Sequence, residues 1–129
     1  MKKKNGFNSG IYLAAYWFPV IMYMVIIFYF SSLPQPLGKE VKVNSYILHI
    51  IEFFILAALL LRALNNNSNI LIKENRYFVV IAITALYAVS DEFHQYFVPG
   101  RVADVFDALA DIFGGLLIYL KYWYEKRLN

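Results

Sequence analysis

The chain has 129 residues, of which 60% are hydrophobic and only 16% charged; its formal net charge is +3 and it contains no cysteine. Soluble domains carry about 25% charged residues, and a chain this short buries only a modest share of its surface on folding, so a water-soluble globule is excluded. The lack of cysteine excludes disulfides, thiolate metal sites and cysteine nucleophiles, and the small, dispersed positive charge gives no footprint for a nucleic acid.

These bounds lead to one membrane domain over 1–129, all-α, built as a bundle of about four transmembrane helices. Lys2, Lys3 and Lys4 precede the first apolar run and read as a topology signal. Residues 11–30 are twenty without a charge, enough to cross a hydrocarbon core of about 30 Å as a helix. The run is too long and too aromatic for a cleaved leader, so a retained first span is expected. Residues 31–45, with Pro34, Pro36 and Gly38, form a loop that cannot continue the helix.

The second span is 46–64, with His49 and Glu52 near its start and Arg62 near its end. A polar, Asn-rich connection follows at 65–76. The third span, 77–98, ends in Ser90-Asp91-Glu92-Phe93-His94-Gln95, and Pro99-Gly100-Arg101 makes a tight turn. The fourth span, 102–123, carries Asp104, Asp107 and Asp111 in its first half and Gly114-Gly115 near its middle, where small residues favour close helix packing. Tyr122, Trp123 and Tyr124 read as an interfacial aromatic belt.

Four spans place both termini and the 65–76 connection on one side. That side holds Lys2, Lys3, Lys4, Arg62, Lys73, Arg76, Lys121, Lys126 and Arg127; the other has only Lys39, Lys42 and Arg101. Nine basic residues against three place both termini in the cytoplasm. His49 and Glu52, the Asp91–Gln95 segment and the three aspartates of the fourth span then converge at one depth, near the outer surface.

At about 100° per residue, His49 and Glu52 share a helix face, as do Asp91, His94 and Gln95. Glu92 points away by roughly another 100°. Asp104, Asp107 and Asp111 form a single stripe. An acid at the centre of a membrane helix costs about 2.5–3.5 kcal/mol, so these side chains are expected to face one another, Arg101, water or a metal rather than lipid. A lone intramembrane carboxyl serves helix packing as readily as function; six acids and two histidines at one level exceed what packing needs. Arg101 is either a solvated interfacial anchor or a counter-ion and anion clamp.

The run Ser90-Asp91-Glu92-Phe93-His94-Gln95-Tyr96-Phe97-Val98-Pro99-Gly100-Arg101, followed by Asp104, Asp107 and Gly114, resembles the VanZ-like family. His49 with Glu52 on the second span and Ser31-Ser32 ending the first fit the same pattern, and the resemblance runs from about residue 15 to 120. One departure is Asp111, where that family commonly carries asparagine. The resemblance implies a bacterial membrane protein with a link to reduced susceptibility to the glycopeptide teicoplanin, without naming a reaction.

Three functions compete. The first is an outward-facing site acting without chemistry on an outer-leaflet lipid, a lipid-linked cell-wall precursor or a glycopeptide antibiotic lodged there. The second is a hydrolase or transferase on a lipid headgroup or lipid-linked phosphate. There His49, Glu52, Asp91, Glu92 and His94 are the catalytic candidates, and Gln95, Arg101, Asp104, Asp107 and Asp111 bind the substrate. The carboxylates and imidazoles are also suitable donors for a divalent cation, though no recognised metal motif is present. The third, proton or cation transport, is disfavoured because the inner halves of the spans are almost purely apolar.

Overall fold

The computed structural model describes residues 9–34, 44–67 and 69–128. The basic residues Lys2, Lys3, Lys4, Lys39 and Lys42 of the topology argument, and the loop residues Pro36 and Gly38, lie outside them, as does the side chain of Lys126. Every regular element among the described residues is a helix. α1 (Ser9–Tyr12) runs through a π-helical turn (Leu13–Trp17) into α2 (Phe18–Ser31); α3 (Asn44–Asn65), α4 (Ile70–Glu74), α5 (Arg76–Gln95) and α6 (Val105–Leu128) follow.

Three stretches are long and apolar enough to cross a membrane: Gly10–Ser31, Ser45–Asn65 and Arg76–Gln95. α6 has the length at 24 residues, but Asp107, Asp111 and Lys121 interrupt its apolar run. The bundle is that of a membrane protein. Its outer surface carries Phe18, Ile21, Val25, Phe28, Phe78, Leu86, Phe106, Leu109 and Phe113 exposed, a coat that water would penalise and lipid tails accept.

The π-helical turn has a cause in the sequence. Phe18 N–H bonds to Leu13 O, five residues back, immediately before Pro19. Proline lacks the N–H for a normal helical bond, and its ring crowds the carbonyl one turn earlier, so a widened turn relieves the clash.

α3 is the central helix, packed most extensively against α6 and also against α5 and α2. Its Phe53, Leu56, Ala57 and Leu60 form the core with Val80 and Ala88 of α5, Ile118 of α6, and Val20 and Ile27 of α2. The expected glycine contact is present. A Cβ on Gly114 would stand 2.3 Å from Ile50 O, and one on Gly115 would stand 2.6 Å from Thr84 Oγ1. The two glycines therefore let α6 lie against α3 and α5 at once. Polar ties hold α1 and α2 to the rest: Tyr12 Oη donates to Ala63 O at 2.8 Å and Tyr87 Oη to Met24 O at 2.6 Å.

Several boundaries differ from the sequence reading. The 65–76 connection contains α4, started by Asn69, whose Oδ1 accepts from the N–H of Leu71 and Ile72. The third helix stops at Gln95 rather than 98. Phe97 N–H and Val98 N–H bond three residues back, and Arg101 N–H then bonds Val98 O at 3.1 Å. Pro99 and Gly100 occupy the centre of that turn, and Gly100 has φ 78°, the left-handed value that a type II turn requires at its third position. The fourth helix begins at Val105 rather than 102.

Candidate functional site

The C-terminal end of α2, the N-terminal end of α3, the C-terminal end of α5 and the N-terminal end of α6 meet at one end of the bundle. Arg101 fastens that end. Its guanidinium donates to Phe30 O at 2.8 Å and Leu33 O at 3.3 Å, with a longer reach of 3.5 Å to Gln95 Oε1. The last carbonyls of a helix lack intrahelical partners and carry partial negative charge, so a cation donating to them caps α2.

Beneath Arg101 lies a cavity of about 220 Å³, lined by Ile27, Phe30, Ser31, Ser45, Leu48, His49, Glu52, Asp91, Gln95 and Arg101. The convergence expected from the alternating helix directions is therefore real for His49, Glu52, Asp91, Gln95 and Arg101. Gln95 Nε2 donates to Asp91 Oδ2 at 2.8 Å, one helical turn apart on α5. The other oxygen, Asp91 Oδ1, is buried without a hydrogen-bond partner among the described residues, and so is Ser31 Oγ; both residues are 5% exposed. Glu52, half-buried, lines the same space.

Asp107 and Asp111 stand behind His49 rather than in the cavity lining. His49 Nδ1 donates to Asp111 Oδ1 at 2.9 Å, and His49 Nε2 lies 3.8 Å from Asp107 Oδ1. The spacing of four puts both aspartates on the face of α6 that meets α3. The close backbone approach at Gly114 brings that face within reach of His49.

The remaining candidates part from this group. Glu92, turned about 100° from Asp91 around α5, accepts the Asp104 N–H through Oε2 at 2.9 Å. Both residues line a separate, mainly apolar groove between α5 and α6, with Val89, Phe93, Tyr96 and Val105 among its walls. Asp104 does not continue the stripe of Asp107 and Asp111. Its Oδ1 accepts from Phe106 N–H at 2.8 Å, and its carbonyl accepts from Asp107 and Ala108 N–H, so it is the N-cap of α6. His94 faces α2: its Nε2 is 2.9 Å from Ser32 Oγ and its ring stacks on Phe28 with centroids 4.3 Å apart.

Ser31 and Ser45 line the cavity without having been singled out as site residues. Ser45 precedes His49 by four and so shares its face, but a single hydroxyl in an apolar helix gives little signal. Among the described residues no three His, Asp or Glu side chains are grouped to hold a metal ion. The carboxyls split between the cavity, the His49 cluster and the Asp104 cap, and that split is the reason. What the described lining offers instead is two carboxyls, an amide, an imidazole and two hydroxyls beside the Arg101 guanidinium.

A family model described as VanZ/LLP1 matches residues 15–126. The chain belongs to that family, and the match covers the whole cavity. Neither a curated protein nor a solved structure matches the chain.

Proposed function

We propose that the chain is a multi-pass protein of the bacterial cell membrane with both termini in the cytoplasm, and that its cavity takes the polar head of an outer-leaflet lipid or a lipid-linked cell-wall precursor. Membership of the VanZ/LLP1 family and the nine-to-three asymmetry of basic residues support this setting. The observation that carries the reading is the cavity itself, a polar pocket at one end of an otherwise apolar bundle. Within it, Ser31 Oγ and Asp91 Oδ1 are buried without partners among the described residues. Buried polar atoms are normally paired, and such orphans point to a group that completes them.

Size narrows the occupant. Pockets for drug-sized molecules measure about 300–1,000 Å³, so a space of about 220 Å³ suits a headgroup and is too small for a glycopeptide. The link to teicoplanin that the VanZ-like resemblance implies is then indirect: holding or altering a headgroup changes the surface on which the antibiotic seats. Native mass spectrometry of the protein in mild detergent tests the core of this reading. The wild type should retain a lipid that Ser31→Leu, which fills the cavity, releases; a wild type free of lipid sinks it.

A second reading keeps the site and adds acid–base chemistry on the same headgroup. It is favoured by one observation, that Glu52 and Asp91 share the cavity with His49. Incubation with a bacterial lipid extract, followed by mass spectrometry for products, separates turnover from binding alone.

A further inference from the structure

The atoms that the cavity leaves unsatisfied have a common chemistry. Asp91 Oδ1 is an acceptor, and Ser31 Oγ accepts as well as donates; both are buried and lack partners among the described residues. Glu52 adds a carboxyl group to the same walls, with no hydrogen bond to a described residue. Gln95 uses its amide N–H on Asp91 and offers its amide oxygen toward Arg101. His49, itself in the lining, is engaged with Asp111 behind it.

Arg101, the one permanent cation among the described lining residues, is largely committed. Two of its nitrogens donate to the end of α2 and a third reaches Gln95. A guanidinium has five N–H groups, so only two remain, at the rim. Among the described lining residues the carboxyls of Glu52 and Asp91 therefore carry the charge of the interior, the hydroxyls of Ser31 and Ser45 can donate or accept, and the free guanidinium N–H groups lie at the mouth. A simple anionic head would bring more acceptors to a pocket already rich in them.

Resting on the headgroup reading above, we infer that the occupant carries a primary ammonium group, seated between Glu52, Asp91 and Ser31, with its phosphate held at the mouth by the free edge of Arg101. A phosphoethanolamine-type zwitterion has this layout. Its ammonium supplies three N–H donors to carboxyl and hydroxyl oxygens, and its phosphate matches the planar guanidinium. The apolar walls, Ile27, Phe30 and Leu48, suit the short methylene bridge between the two charges. A trimethylammonium carries the same charge but donates no hydrogen bonds.

The test titrates the full chain in mild detergent with short-chain phosphatidylethanolamine, phosphatidylglycerol and phosphatidylcholine, and with water-soluble phosphorylethanolamine, reading affinity by calorimetry. Phosphatidylethanolamine should bind, and the glycerol and choline lipids at least ~10-fold more weakly, since choline donates no hydrogen bond and the glycerol hydroxyls, though donors, bring no positive charge to the two carboxyls. Glu52→Gln with Asp91→Asn should weaken phosphatidylethanolamine by a similar factor. Glu52→Gln alone serves the same purpose should the double variant misfold, and Glu92→Gln, outside the cavity, should bind like the wild type. Equal or tighter binding of phosphatidylglycerol or phosphatidylcholine overturns ammonium recognition and leaves the headgroup reading standing. No binding of any of the three lipids overturns both. Phosphorylethanolamine binding as tightly as the lipid upholds the ammonium site and overturns the lipid as its source.

Discussion

His49 on α3 and Asp111 on α6 meet at 2.9 Å, and the Asp111 side chain has no solvent exposure. Removing one partner of a buried charged pair leaves the other uncompensated, at a cost of about 3–5 kcal/mol. His49→Ala and Asp111→Ala should each lose stability of that order in reversible unfolding from lipid bicelles. Asp111→Asn should lose much less, because its amide oxygen still accepts from Nδ1. An asparagine variant as unstable as the alanine one would show that the charge of Asp111, not its hydrogen bond, holds the pair.

The two adjacent glycines of α6 should respond unequally to the same substitution. A methyl at 114 meets the backbone oxygen of Ile50, which cannot move without displacing α3. A methyl at 115 meets the Thr84 side chain, whose hydroxyl bonds its own helix and can shift more readily. Overpacking of this kind costs about 1–3 kcal/mol, and replacing a helical glycine by alanine returns up to about 1 kcal/mol. Gly114→Ala should therefore unfold markedly more easily than the wild type, with Gly115→Ala between the two. Equal thermal shifts would rule out backbone contact as the distinguishing factor.

The long apolar runs made the main helices visible in the sequence, and the number of spans made their alternation visible. Those two features together brought His49, Glu52, Asp91, Gln95 and Arg101 to one cavity. Periodicity alone could not assign Asp104. Whether it lines a face or caps a helix depends on a start shifted by three residues, and Asp serves both purposes. Nor could it assign His94: its face on α5 was correct, but its environment depends on α2, whose polar end supplies Ser32. Ser45 stayed hidden because one hydroxyl at a helix start looks the same facing lipid or lining a pocket, and Ser31 was legible only through the Ser31-Ser32 pair of the family resemblance.

Arg101→Lys keeps the charge and removes the fork. A lysine amine cannot reach Phe30 O, Leu33 O and Gln95 Oε1 together from one position, so the 96–101 turn should loosen from the end of α2. Hydrogen exchange across that turn should rise by roughly tenfold, the scale of one or two lost hydrogen bonds. Exchange in the middle of α3 should stay unchanged, because Phe53, Leu56 and Leu60 hold that helix independently. A uniform rise along α3 would mean that Arg101 supports the whole bundle.

Asp104 and Glu52 provide a crossed comparison between fold and function. Asp104→Ala removes the N-cap of α6 and should cost about 0.5–2 kcal/mol, whereas Asp104→Asn retains a capping oxygen and should cost far less. Neither touches the cavity, so headgroup affinity in the surviving folded fraction should match the wild type for both. Glu52→Gln reverses the pattern: its carboxyl makes no hydrogen bond to a described residue, so stability should hardly change while affinity falls. Measuring unfolding and lipid binding on all three variants separates the roles. Weakened binding in Asp104→Asn at full stability would return Asp104 to the ligand set and place part of the headgroup in the groove beside Glu92.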